Sequence, residues 1–220
     1  MDQMPGPPPD IHDRKITIIE FNDRMFRTHA INRSPIYFGK SGQHRFDSPD
    51  GSYGTLYAGR DEYCAFIETF ARAAGSTTIT TTELKNRCLA ELKAARTLRL
   101  VDLTQSGTLV RLGADARLFS GDHAISQEWS KAFYDHPFKV DGLLYPSRLD
   151  PAKQALALFE GRAPKPIELG RQTWFAGGSM RQLLAEIVEH YALAVIEDKA
   201  IPPRKPSSTA VQGTLKSREP

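Results

Sequence analysis

Arg45, Tyr57 and Glu68 are the side chains whose types and spacing offer the clearest chemistry in this chain. The first two lie in the run His44-Arg45-Phe46-Asp47-Ser48-Pro49-Asp50-Gly51-Ser52-Tyr53-Gly54-Thr55-Leu56-Tyr57-Ala58-Gly59, and Glu68 follows in a helical pattern. A guanidinium is planar, permanently charged and weakly hydrated, so it holds a pyrophosphate through two parallel hydrogen bonds in a way lysine cannot copy. Arg45 suits that task, and Arg27 is a second candidate. A tyrosine at the end of a strand offers a rigid apolar face to a ring and a hydroxyl to a polar group. A carboxylate beside a sugar carbon stabilises the oxocarbenium-like charge that develops when a glycosidic bond breaks. The three together suit a ligand with phosphates, a flat ring and a ribose, and nicotinamide adenine dinucleotide (NAD) has all of these.

Each residue also has an ordinary reading. Asp47-Ser48-Pro49-Asp50-Gly51 is turn chemistry, which would leave Arg45 to pair with a surface carboxylate. Tyr57 lies in a short strand pattern where aromatic residues commonly pack. Glu68 precedes Arg72 by a helical ion-pair spacing worth only about 0.2–0.5 kcal/mol.

The elements that must position these groups come next. Residues 15–21, 25–29 and 53–58 read as strands, the second delivering Arg27. A helix over 61–74 places Tyr63, Phe66, Ile67 and Phe70 on a core stripe with Gly75 as its stop. Glu68 sits off that stripe beside the small residues Cys64, Ala65 and Ala71, which leaves room above the carboxylate. Thr80-Thr81-Thr82-Glu83 is a capping box, and Leu84, Cys88, Leu92 and Ala95 share one side of a helix expected to run through about residue 95. Strands are expected at 97–103, 109–112, 142–145 and 155–159, with a helix over 124–134. Pro146-Ser147-Arg148 breaks the chain beside a strand end, where a side chain can be aimed into a cleft. The alternative for Ser147 is a turn serine that bonds its own backbone.

These runs carry a family likeness. Phe26-Arg27-Thr28-His29, Arg45-Phe46-Asp47-Ser48-Pro49, Leu56-Tyr57-Ala58, Glu68-Thr69, Val101-Asp102-Leu103, Ser126-Gln127 and Asp141-Gly142-Leu143-Leu144-Tyr145-Pro146-Ser147-Arg148 together resemble the RES domain, named for arginine, glutamate and serine, over about residues 24–159. The resemblance implies an ADP-ribosyltransferase-like α+β fold of mixed small sheets with flanking helices. It also implies destruction of NAD by phosphorolysis or hydrolysis, or transfer of ADP-ribose to a protein, by toxins that a cognate antitoxin neutralises by covering the active site. Carried over by position, Arg27 and Arg45 hold the dinucleotide, Tyr57 lies beside the nicotinamide or ribose, and Glu68 sits at the reacting sugar. Ser147 adds a polar contact, and Ser126 and Gln127 match a second polar stretch. Many members have Gly-Gly-Arg-Trp-Asn where this chain has Gln43-His44-Arg45-Phe46-Asp47, so close backbone approach and indole surface are both missing here.

Composition bounds the rest. The 220 residues, 40% hydrophobic, read as a flexible proline-rich tail over 1–12, one domain over 13–198 and a disordered basic tail over 199–220. That domain ends in an amphipathic helix at about 179–196, after a linker at 163–166. Leu183, Leu184, Ile187, Val188 and Tyr191 form its stripe, which packs on the domain or, in the sharper alternative, meets an antitoxin or a second copy in a homodimer. A net charge of +3 falls short of a nucleic-acid-binding footprint. The two cysteines form no CxxC pair, no secretion signal or membrane span is seen, and a cytoplasmic setting is expected. The six histidines have no metal-ligand spacing, so no metal is expected.

No GxGxxG follows a strand and no GxxxxGK[ST] occurs, which fits NAD consumed as a substrate and not held as a permanent cofactor. The leading expectation is therefore an enzyme, an NAD phosphorylase, glycohydrolase or ADP-ribosyltransferase, with phosphate, water or a protein as acceptor. The resemblance further implies an Xre-type antitoxin as partner. The alternatives are a catalytically silent nucleotide- or partner-binding module of the same fold and a ribonuclease toxin.

Overall fold

Strand β3 (Thr55–Gly59) lies between two partners that arrive from opposite ends of the sequence. A computed structural model describes residues 4–71 and 77–198. Its main sheet also contains β1 (Ile18–Phe21), β2 (Arg24–Ala30), β5 (Arg87–Lys93), β6 (Leu98–Asp102), β7 (Gly142–Pro146), β8 (Gln154–Phe159) and β9 (Ile167–Thr173). Their order is β1-β6-β7-β8-β3-β2-β5-β9. All neighbours run antiparallel except β6 and β7. A second, two-stranded parallel sheet joins β4 (Thr78–Thr80) to β10 (Ala194–Ile196).

The connections force the large sheet to curl. Strands β1 and β2 stand five positions apart, about 24 Å in a flat sheet. Phe21 and Arg24 are only three residues apart, a reach of about 11 Å at most. The sheet therefore bends until β1 and β2 approach each other. Phe21, Met25, Leu56, Leu92, Leu98, Leu100, Leu144, Leu156 and Leu158 fill the trough this creates, with Ile36 and Phe38 against them.

The other face carries the helices. Helix α1 (Glu62–Phe70) starts at Asp61, whose side chain accepts from the Cys64 N–H. Helices α2 (Thr81–Lys85), α3 (Thr108–Leu112), α4 (Arg117–Ser120), α5 (His123–Asp135) and α6 (Gly177–His190) complete the mixed α+β architecture. One core under α5 holds Trp129, Phe133, Phe46, Tyr145 and Phe159. Another holds Phe66, Trp174, Met180, Leu184 and Ile187, so the stripe of α6 packs on the domain. Among the described residues no helix is long and apolar enough to cross a membrane.

Four expectations are corrected. The capping box at Thr80 and Glu83 forms, but its helix stops at Lys85 and the chain continues as β5. Cys88, Leu89, Ala90 and Leu92 are all buried, because β5 lies between β2 and β9 and is covered on both faces. A strand of that kind loses its alternation, and the spacing of Leu84, Cys88 and Leu92 then imitates a helix. Residues 109–112 are helical, held between Gly107 and Gly113, both with φ near +80°. Strand β9 was unanticipated: it is an edge strand, mostly exposed, and carries no apolar alternation. The helix expected to extend to about residue 196 ends at His190 and gives way to β10. The N-terminus is no free tail from Met4 onward, since Met4 and Ile11 are buried and the Trp129 indole N–H donates to the Pro5 carbonyl at 3.1 Å. The helix stop at Gly75, Arg72, and the tail over 199–220 lie outside the described residues.

Candidate active site

Residues 41–53 connect to β3 through a loop whose shape is set by buried polar groups. Asp47 is fully buried and accepts from the Ser41 hydroxyl at 3.2 Å, the His44 N–H at 3.1 Å and the Tyr57 hydroxyl at 3.0 Å. Tyr57 in turn accepts from the Phe46 N–H at 2.9 Å. The Phe46 carbonyl receives Thr55 and Ser130 hydroxyls, and its ring meets Tyr145 edge-on at 4.7 Å between centroids. Arg45 is thus fixed on its C-terminal side. On the other side, the Gln127 amide donates to the carbonyls of Gly42 at 2.8 Å and His44 at 3.0 Å.

Arg45 reaches from this loop to α5. Its Nη1 donates to the Gly121 carbonyl at 2.9 Å and to Ser126 Oγ at 3.2 Å. Burial lowers its proton affinity first and neighbouring Arg148 second, while Tyr145, Glu68 and Tyr57 act in the opposite direction. Those five groups therefore share one electrostatic neighbourhood. Tyr57 and Tyr145 both have phenol pKa values pushed well up, chiefly by burial. Asp47 adds to the effect on Tyr57, and Glu68 to that on Tyr145. Both remain phenols at neutral pH.

Glu68 projects from the exposed side of α1, where Ser147 Oγ donates to its Oε1 at 2.5 Å. Ser147 follows β7, and its oxygen also accepts from the N–H groups of Leu149 at 3.2 Å and Asp150 at 3.3 Å. With both lone pairs occupied, the hydroxyl has one proton left, and it is aimed at Glu68. The turn reading and the site reading of Ser147 are therefore both true of the same atom. Lys153 braces this loop against the start of α1 through Asp61 at 2.8 Å.

Sequence reasoning and geometry part at Arg27. The register Phe26↔Gly59 puts Phe26 on the Tyr57 side of the sheet, and alternation then turns Arg27 to the opposite face with Met25. Its Nη1 donates to the Tyr37 carbonyl at 3.1 Å, and burial pulls its pKa down to about 10. Arg27 thus stands apart from a group made of Arg45, Tyr57, Glu68, Ser126, Gln127 and Ser147. Within that group Tyr57, Ser126 and Gln127 use their polar atoms on the protein itself, as supports for the loop and for Arg45. Asp47, Tyr145 and Arg148 were missed as site residues. The last two lie in the same Tyr145-Pro146-Ser147-Arg148 run as Ser147, so the signal was present there, whereas Asp47 read as an ordinary turn residue.

The arrangement joins an exposed, oriented carboxylate to a fixed guanidinium, with a second arginine beside it. Such a site can bind an anionic group and stabilise a positive charge that develops beside the carboxylate.

Comparisons with known proteins bear on the family and the fold. The family model described as "RES domain" matches residues 23–183, well over half of the chain. A Sinorhizobium fredii protein described as probable toxin y4kH is 30% identical over 123 residues, which is 56% of this chain and 93% of that protein. Among solved structures, a chain of the M. tuberculosis MbcT-MbcA toxin-antitoxin complex superposes with a TM-score of 0.61 at 16% identity, covering 76% of this chain and 92% of the other. That likeness shares the fold. The chain belongs to the RES domain family.

Proposed function

We propose that this protein cleaves the nicotinamide–ribose bond of NAD and passes the ADP-ribosyl group to phosphate, water or a protein side chain, acting as the toxin of a toxin–antitoxin pair. The observation that carries the reading is that Glu68, oriented by Ser147, lies within the electrostatic reach of Arg45, which is anchored on Gly121 and Ser126. Arg45 and Arg148 supply positive charge for the diphosphate. Glu68 faces the ribose, where it stabilises the cationic sugar as the C–N bond breaks and its electron pair leaves with neutral nicotinamide. An acceptor oxygen then attacks the same carbon and releases its proton. The half-buried ring of Tyr57 offers the flat ring an apolar seat. NAD is the substrate, so no resident cofactor is needed.

The toxin role is supported by the relatives, since both y4kH and MbcT carry that description. The MbcT structure is a complex with an antitoxin, which supports a cognate antitoxin here. Incubating purified protein with NAD, with and without phosphate, and following free nicotinamide tests the reaction. Release is expected. Phosphate-dependent release identifies phosphate as acceptor, and absence of release under all conditions refutes the enzymatic reading.

A further inference from the structure

The last turn of α6 lies beyond residue 183, where the family model ends, yet it is tied to the site. Tyr191, which caps α6, donates its hydroxyl to Asp150 Oδ2 at 2.8 Å. Asp150 belongs to the turn that Ser147 organises: its N–H donates to Ser147 Oγ, and its other carboxylate oxygen accepts the Ala152 N–H at 3.1 Å. Ser147 Oγ then donates to Glu68. A continuous chain of hydrogen bonds, Tyr191 to Asp150 to Ser147 to Glu68, thus spans from the C-terminal helix to the carboxylate.

We propose that Tyr191 is a positioning residue for Glu68, acting as a clasp that holds the Ser147 turn against α1. The proposal rests on the NAD reading for its effect on turnover. Glu68 is exposed on α1, so its orientation depends on the turn that carries Ser147. Among the contacts that hold that turn are Lys153 on Asp61 and Tyr191 on Asp150. The second comes from a distant part of the chain, 41 residues on. The Tyr191 ring lies 6.3 Å from the Tyr63 ring between centroids, and Lys153 sits over the Tyr63 ring at 4.6 Å. Removing the hydroxyl alone therefore leaves the packing of α6 in place, and Tyr191→Phe is expected to fold.

The test uses the full chain and three variants, Tyr191→Phe, Asp150→Ala and the double variant. Steady-state nicotinamide release is measured against NAD concentration, together with hydrogen exchange at the Leu149 and Asp150 amides. Loss of one orienting hydrogen bond is expected to lower kcat roughly three- to tenfold with KM within about twofold of the wild type. The double variant is expected to be no slower than the slower single variant, because both substitutions cut the same link. Exchange at the two amides is expected to speed up in Tyr191→Phe. Unchanged kcat, a rise confined to KM, or additive losses in the double variant would each overturn the proposal. The exchange measurement keeps two failures apart: an inert wild-type protein refutes the NAD reading, whereas unchanged amide protection in Tyr191→Phe refutes the clasp.

Discussion

Ser147 has one proton to donate, and Glu68 receives it. Glutamine at position 68 can still accept that hydrogen bond, so Glu68→Gln is expected to fold normally while losing the negative charge that the proposed reaction sets against the sugar. Electrostatic stabilisers of this kind are worth about 10²–10³ in kcat. Nicotinamide release at the wild-type rate by Glu68→Gln would remove Glu68 from the reaction. Arg45→Lys keeps a positive charge but loses the planar guanidinium, whose Nη1 anchors it on Gly121 and Ser126 and leaves its other N–H groups to a ligand. NAD affinity measured by calorimetry is expected to fall about tenfold, and an unchanged Kd would reject the assignment. At this scale much of the group was legible, because Arg45, Glu68 and Ser147 stand in recognisable runs. Arg27 was not, since the face it occupies depends on which strand β2 pairs with and in what register. Nothing in Phe26-Arg27-Thr28-His29 alone states that.

Among the elements, the loop preceding β3 shows how a hydroxyl can serve a site without touching a ligand. Tyr57 accepts from Phe46 and donates to Asp47, so Tyr57→Phe leaves a backbone N–H and a buried carboxylate each one partner short. A cost of about 1–3 kcal/mol in a denaturant titration is expected, together with weaker NAD binding as Arg45 loosens. Retained stability with retained affinity would show that the loop is held by its other contacts. Helix α1 and strands β3, β7 and β8 were readable because each shows either a helical stripe or a short apolar run. Strands β5 and β9 were opaque for opposite reasons. The first is covered on both faces and so lacks alternation, and the second is an exposed edge and lacks an apolar face. Both belong to the side of the sheet farthest along from β1, and neither supplies a member of the Arg45 group.

For the whole molecule, two buried histidines make stability depend on pH. His136 Nδ1 accepts from the Phe138 N–H while Nε2 faces the Arg14 carbonyl, so the neutral ring is held on both sides. His29 has its Nδ1 on the Ala30 carbonyl and its Nε2 beside Cys88 Sγ at 3.2 Å. Burial is the main cause that pulls both pKa values below the ordinary histidine value. A depressed histidine pKa means that the unfolded chain binds more protons, so stability is present at pH above about 6.5 and is lost as pH falls below it. Thermal melts between pH 7.5 and 5 are expected to show a falling Tm, about 2–4 °C for each kcal/mol lost in a chain of this length. A flat profile over that interval, or one that rises on acidification, would contradict the buried neutral rings.

The order of strands also has a temporal consequence. Tyr57 on β3 is flanked by β8, whose last residue, Phe159, pairs with Thr55, and β1 must await β6. Contacts so distant along the chain form late and slowly. A polypeptide still emerging from the ribosome holds Arg45 and Glu68 before Ser126 and Ser147, the partners that orient them, have been synthesised, so the group assembles only once the chain has passed β7.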